Sequence, residues 1–334
     1  MGNPSEKPTC VARFSKPWGE ILTGAQAYEH MVVEALEPVV SHRPALTDPF
    51  RPPWLRYKKL RYLWQNWTNC PDGDILITDP NHFFCGLNIK RFQHKILLVH
   101  HVDHRDAPIE FIQARLESHM IRRLHEFDRV VVIANYWKEF LASHFPAERI
   151  HIIPCAYDIE GILRQSAAKP RSELSLPENK IVVYAGQACE KKGFRVAVDN
   201  LPRDRFHVLT TGRRDCETDH DHREAADKDY FDLLRASDVA VFFPRFNEGW
   251  TRVAHEALLC ETPVVGFDRG GLGELIRGGG QILCPSPDKA LSCVEEALAR
   301  RDELSRNGLK FARQFTPERF QQQWRALIAE LCRA

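Results

Sequence analysis

The 334-residue chain has no apolar run approaching the ~20 residues that a membrane-spanning helix needs. Its first ten residues lack the apolar core of a secretory signal. Ten cysteines run from Cys10 to Cys332 without a single C-x-x-C pair. At that density they read as buried thiols in a reducing compartment, not as a disulfide framework. The expected location is the cytoplasm. Charge of one sign is also lacking, since 46 Lys and Arg face 45 Asp and Glu for a net charge of +1. Binding nucleic acid through a broad cationic surface needs many uncompensated bases, so no nucleic-acid partner is expected. No G-x-G-x-x-G follows the first strand and no Walker loop occurs, which removes the dehydrogenase and P-loop readings. Fixed-period repeats and low-complexity segments are absent as well.

What remains is 43% hydrophobic and 27% charged, an ordinary globular balance. Short β-rich runs alternate with helical patterns, the signature of parallel sheets covered by helices. Strands are predicted at 10–14, 74–78, 96–100, 130–133 and 150–153, with helices at 24–36, 110–125 and 136–143. Residues 163–178 are polar, hold Pro170 and Pro177, and predict an interdomain connection. The alternation then restarts, with strands at 181–185, 207–211, 239–243 and 264–267. Helices are predicted at 230–236, 251–260, 288–299 and 317–331. Two successive open α/β domains follow, with a ligand expected where the carboxyl ends of the strands meet.

The densest chemical signal is Phe243-Pro-Arg-Phe-Asn-Glu-Gly-Trp-Thr-Arg-Val-Ala-His-Glu256, followed by Pro263-Val-Val and Gly270-Gly-Leu-Gly-Glu274. A strand ends near Phe243, a loop carries Glu248 and Gly249, and a helix opens near Thr251. Helix N-termini present free N–H groups and partial positive charge, which suits a phosphate. Gly249 lets backbone approach a ligand closely. Glu256 lies about five residues into the helix, roughly 8 Å along its axis. A ligand with phosphate at the helix start and a ribose further along would fit that spacing.

The segment 243–274 resembles the donor-site motif of the retaining family 4 glycosyltransferases (glycosyl transferases group 1), two-domain enzymes of the GT-B fold. The resemblance extends along the chain. Residues 128–141 are similar to the segment leading out of the family's first domain, and 149–158 to its linker approach. Residues 184–193 resemble the loop that holds the diphosphate. This likeness implies an α/β, GT-B architecture, with two Rossmann-like open parallel-sheet domains facing a central cleft. An acceptor-side domain would span 1–162 and a nucleotide-sugar donor domain 163–316. The last helix, in 317–334, would cross back to the first domain.

By the same resemblance Glu248 would sit by the donor sugar, Glu256 would bind the ribose, and Lys192 would neutralise the leaving diphosphate. Gly186, Gln187, Lys191, Gly249, Trp250 and Thr251 complete the implied donor site. A strand-end histidine resembles the family's active-site His; strand phase favours His101 over His100. Gly24, Asp103 and His104 would line the acceptor side. The implied reaction needs no cofactor and no metal. It moves a sugar from a nucleoside-diphosphate sugar to a carbohydrate, lipid-linked or small-molecule acceptor with retention of configuration. A non-catalytic nucleotide-sugar-binding subunit and a sugar-nucleotide epimerase are the alternatives. The chain departs from the family at Gln187, where Arg is usual, and at Cys155-Ala156, where Asn-Gly is usual. Thr210-Thr-Gly212 stands where the family has G-x-G, which leaves the base pocket open.

Rival metal readings rest on the His and Asp residues of 100–106, on Cys216-Glu-Thr-Asp-His-Asp-His222, and on the D-x-D pattern at Asp72 and Asp219. The 216–222 segment is expected to be a solvated loop. Residues 50–67 interleave Arg51, Arg56, Lys58, Lys59 and Arg61 with five Trp and Tyr and no acid. As a helix this stretch has two readings. One is a face packed on its own domain; the other is peripheral contact with the inner face of the plasma membrane.

Overall fold

The computed structural model describes residues 7–13, 24–42, 72–80, 89–102, 118–166, 169–224 and 229–333. They fall into two compact units. The chain leaves the first after Ala156 and rejoins it at Pro317, and Tyr157–Thr316 belong to the second.

The first unit holds six parallel strands: β1 (Thr9–Arg13), β2 (Ser41–His42), β3 (Ile75–Thr78), β4 (His94–Val99), β5 (Arg129–Val132) and β6 (Ile150–Ile152). Their spatial order is β2-β1-β3-β4-β5-β6. Ile75–Ile77, Ile96–Val99 and Val130–Val132 have no exposed surface. A sheet covered on both faces produces unbroken apolar runs, not alternating ones. Residues 118–123 form the described part of the helix expected at 110–125. The helix Pro317–Leu331 buries Phe320, Trp324, Leu327, Ile328 and Leu331, the spacing of one helical face. That face meets the helix Gly24–Leu36. Tyr28 sits fully buried there, edge-on to Phe320 at 5.1 Å, and donates its hydroxyl to Ile153 O at 2.8 Å. Arg325 Nε closes the contact on Ala35 O at 2.8 Å.

The second unit repeats the architecture with β7 (Ile181–Tyr184), β8 (Phe206–Thr211), β9 (Asp221–Arg223), β10 (Val239–Phe242), β11 (Val264–Gly266) and β12 (Ile282–Leu283). All pairings are parallel, in the order β12-β11-β10-β7-β8-β9. From β7 the chain builds outward to β9, then returns to the other side of β7 as β10. The loops after β7 and β10 therefore diverge at the point where the winding reverses, the place where open α/β sheets bind ligands.

Two expectations are corrected. Residues 163–178 are not an interdomain tether but part of the second unit. The helix Ile159–Gln165 is capped by Asp158, whose Oδ1 accepts from Gly161 N at 2.9 Å. Beyond it Leu174 and Leu176 are buried. Arg171 bonds Ala236 O at 2.9 Å and Asp238 Oδ2 at 2.6 Å. The 216–222 segment is not a solvated loop either. Its end pairs with β8, and His220 Nε2 and His222 Nδ1 each lie 2.9 Å from the Oγ1 of Thr210. His207 and Arg223 flank Asp221 at 3.0 and 2.9 Å. Burial alone would raise the Asp221 pKa, but the hydrogen bonds and charges of His207 and Arg223 together outweigh it and hold the value at about 2.

Candidate functional site

The site is built where the β7 and β10 loops emerge. After Tyr184 the chain turns through Gly186, with φ +69°, and reaches Gly193, with φ +74°. A Cβ on Gly193 would stand 1.8 Å from Phe243 O, so only glycine lets this loop lie against the end of β10. Between the two glycines, Gln187 is half-buried and its carbonyl accepts from Cys189 N at 2.8 Å. Lys191 is exposed, and its carbonyl takes the Arg245 N–H at 3.0 Å. Lys192 turns inward: its ammonium stands 2.7 Å from Glu248 Oε1 and 5.0 Å from the centre of the Phe246 ring.

Glu248 is held from behind. Gly270 bridges to it, and Gly271 N donates to Glu248 O at 2.9 Å. Gly270 has φ +58°, and a Cβ there would come within 2.4 Å of Glu248 O. The second glycine pair of the motif thus fixes the backbone that presents the carboxylate. The Glu248 side chain is only 9% exposed and Lys192 is 32% exposed, so this ion pair is partly desolvated.

The helix Arg252–Leu259 starts at Thr251, whose own side chain does not cap it. Among the described residues the buried Thr251 Oγ1 has no hydrogen-bond partner. Gly249 and Trp250 are buried just before it. The indole of Trp250 faces away from the helix start: Nε1–H donates to His255 Nδ1 at 3.4 Å and the ring lies 5.3 Å from Phe315. His255 stacks on Tyr157 at 3.9 Å and donates Nε2–H to Ala312 O at 3.1 Å. Complete burial lowers its pKa to about 3, leaving a neutral imidazole. One turn into the helix, Glu256 accepts from the Tyr230 hydroxyl at 2.7 Å and has Arg252 at 3.6 Å.

The structure therefore brings Gly186, Gln187, Lys191, Lys192, Glu248, Gly249, Trp250, Thr251 and Glu256 into one unit, on loops and one helix at the carboxyl edge of its sheet. His101, in the first unit, is exposed two residues beyond β4. Its neighbour His100 is half-buried, 3.5 Å from Glu29 Oε1 and edge-on to Tyr28 at 5.3 Å. Gly24 opens the helix Gly24–Leu36 and is exposed. Asp103, His104 and the stretch 50–67 lie outside the described residues. Sequence reasoning missed Tyr230, which lies in no motif, and the side-chain parts of Tyr184 and His255, which lie within motif segments but act through tertiary neighbours. Among the described residues no three His, Cys, Asp or Glu side chains form a metal-ligating group. No described helix is long and apolar enough to cross a membrane.

Comparison with known proteins agrees with this geometry. D-inositol 3-phosphate glycosyltransferase of Geodermatophilus obscurus is 28% identical over 228 residues, 58% of this chain and 50% of the relative. The Rhodococcus jostii protein of the same name is 28% identical over 184 residues, 46% of this chain and 40% of the relative. These matches span half or less of the relatives' length. Among solved structures, sucrose-phosphate synthase from Thermosynechococcus elongatus superposes with a TM-score of 0.75 at 18% identity, covering 97% of this chain and 99% of that one. Anabaena HepE, solved in complex with UDP and glucose, has a TM-score of 0.75 at 16% identity, covering 96% of this chain and all of that one. At such identities the likeness establishes the GT-B fold. The Glycosyltransferase Family 4 model matches residues 21–160 and the Glycosyl transferases group 1 model matches 179–300. With one model on each half and the fold of its structural neighbours, the chain belongs to the group 1, family 4 glycosyltransferases.

Proposed function

We propose that the protein is a retaining, metal-independent glycosyltransferase that moves a sugar from a nucleoside-diphosphate sugar to a carbohydrate, lipid-linked or small-molecule acceptor. The observation that carries the reading is the Lys192–Glu248 pair, set at the reversal point of the second sheet beside the N-terminus of the helix Arg252–Leu259. Departure of a nucleoside diphosphate concentrates negative charge on its terminal phosphate. An ammonium and the free amides of a helix start are preorganised to receive that charge, which is the main way such a step is accelerated. In this reading Lys192 and the amides at Thr251 hold the diphosphate, Glu248 binds the sugar hydroxyls, and Glu256 takes the ribose.

In the chemical step the anomeric carbon–phosphate oxygen bond breaks and a bond to the acceptor oxygen forms on the same face. The acceptor's hydroxyl proton passes to the departing diphosphate. His101 is assigned to the active site as a catalytic residue, Gly24, Asp103 and His104 to the acceptor side, and the site of action to the cytoplasm. The relatives support the donor class: HepE was solved with UDP-glucose, and the curated relatives are named as glycosyltransferases. The test is nucleoside diphosphate release from UDP-, GDP-, ADP- and dTDP-sugars by wild type and Glu248→Ala. Steady release by wild type and none by the variant supports a transferase. Binding without release points to a non-catalytic subunit. Conversion of the donor sugar itself, without an acceptor, points to an epimerase.

A further inference from the structure

Glu256 is held by more than its own helix. Tyr230, at the start of Tyr230–Ala236, donates its hydroxyl to Glu256 Oε2 at 2.7 Å. The Tyr184 hydroxyl, at the end of β7, lies near Tyr230 and stands 2.6 Å from Thr211 Oγ1, at the end of β8. A carboxylate only accepts, so the Tyr230 proton points to Glu256. Tyr230 is thus the hydroxyl that reaches Glu256 directly, with Tyr184 and Thr211 paired behind it. Thr211 N also donates to Gly186 O at 2.9 Å, which ties the end of β8 to the first glycine of the β7 loop.

Burial, reinforced by the Glu256 charge, pushes the Tyr230 pKa well above its ordinary value. The phenol therefore remains a donor across the neutral range. Without it the carboxylate plane is free to turn, because the last torsion of Glu is broad and roughly two-fold. A ribose diol needs both acceptor directions fixed at once. A 2′-deoxyribose needs only one.

We propose that Tyr230 is a positioning residue that fixes the Glu256 carboxylate plane and so sets a preference for ribonucleotides over their 2′-deoxy counterparts. This rests on the reading of Glu256 as the ribose anchor, and the test separates the two. UDP and 2′-deoxy-UDP are titrated calorimetrically into wild type, Tyr230→Phe, Glu256→Gln and the double variant, with the ADP and GDP pairs in parallel. Wild type should favour the ribonucleotide by about tenfold, the scale of one charge-assisted hydrogen bond. Tyr230→Phe should weaken the ribonucleotide by up to about tenfold and leave the deoxy compound nearly unchanged, and the double variant should be no weaker than Glu256→Gln. Tyr184→Phe, at the phenol near Tyr230, should move the same ratio in the same direction by less, and it serves if Tyr230→Phe fails to fold. Equal weakening of both nucleotides by Tyr230→Phe, or no weakening of either, overturns the proposal while leaving Glu256 as anchor. Glu256→Gln binding like wild type, or no binding in any of the three pairs, overturns the anchor reading itself.

Discussion

Lys192 and Glu248 come from loops 56 residues apart, yet their charged atoms stand 2.7 Å apart. Glycine brings them together: Gly193 presses the first loop onto Phe243, and Gly270 backs the second. Each charge is a partner of the other. In the proposed function the diphosphate replaces Glu248 as the counter-ion of Lys192.

Replacing Lys192 should therefore act on the diphosphate first. Lys192→Ala is expected to weaken nucleoside diphosphate binding by about 1.5–3 kcal/mol, the range for a hydrogen bond to a charged group. Glu248→Gln should leave that binding near wild type while abolishing release from the nucleotide sugar. Calorimetry with UDP and a release assay on the same variants separate the two roles. A Lys192→Ala protein that binds as tightly as wild type removes Lys192 from the site.

Gly193→Ala tests the close approach that shapes the loop. The added Cβ meets a backbone oxygen at 1.8 Å in a left-handed conformation, and backbone cannot swing aside as a side chain would. Left-handed strain alone costs roughly 1–2 kcal/mol. A fall in melting temperature of several degrees is expected. A wild-type melting curve would show that the loop does not lie against Phe243.

His255 predicts a pH dependence. Its folded pKa of about 3 lies below the ordinary 6.5, so the unfolded chain binds the extra proton between those values. Stability from this group is full above about pH 6.5 and is lost as pH falls, by up to about 1.4 kcal/mol per pH unit. Melting temperatures of wild type and His255→Leu between pH 7.5 and 5 provide the check. The wild-type curve should fall more steeply. Parallel curves would show that His255 takes up its proton without leaving its stack on Tyr157.

The helix Pro317–Leu331 makes its own prediction. Trp324 is fully buried beside Tyr28, so Trp324→Ala should cost about 3–5 kcal/mol. Chemical denaturation measures this directly. A loss under 1 kcal/mol would mean that the helix does not hold its place on Gly24–Leu36.

Most of the sheets was legible because burial on both faces writes a strand as a plain apolar run, as in Ile96–Val99 and Val239–Phe242. The edges were not. β2 is Ser41–His42 and β9 is Asp-His-Arg, polar and short, as strands open on one side tend to be. At the site, Glu248 and Glu256 stood out because loop and helix spacing fix their separation within one motif. For Trp250 the expectation concerned its backbone amide; that its indole packs on His255 and Phe315 is a tertiary contact no spacing announces. Tyr230 was invisible for a related reason. Its hydroxyl gains meaning only from where two helices, 26 residues apart at that contact, come to rest.

The most direct measurement is a crystal structure of the protein grown with saturating UDP or a UDP-sugar. A diphosphate is expected within hydrogen-bond distance of Lys192 Nζ and the amides at Thr251, with the ribose hydroxyls on Glu256. A nucleotide bound elsewhere, with Lys192 still closed on Glu248, would contradict it.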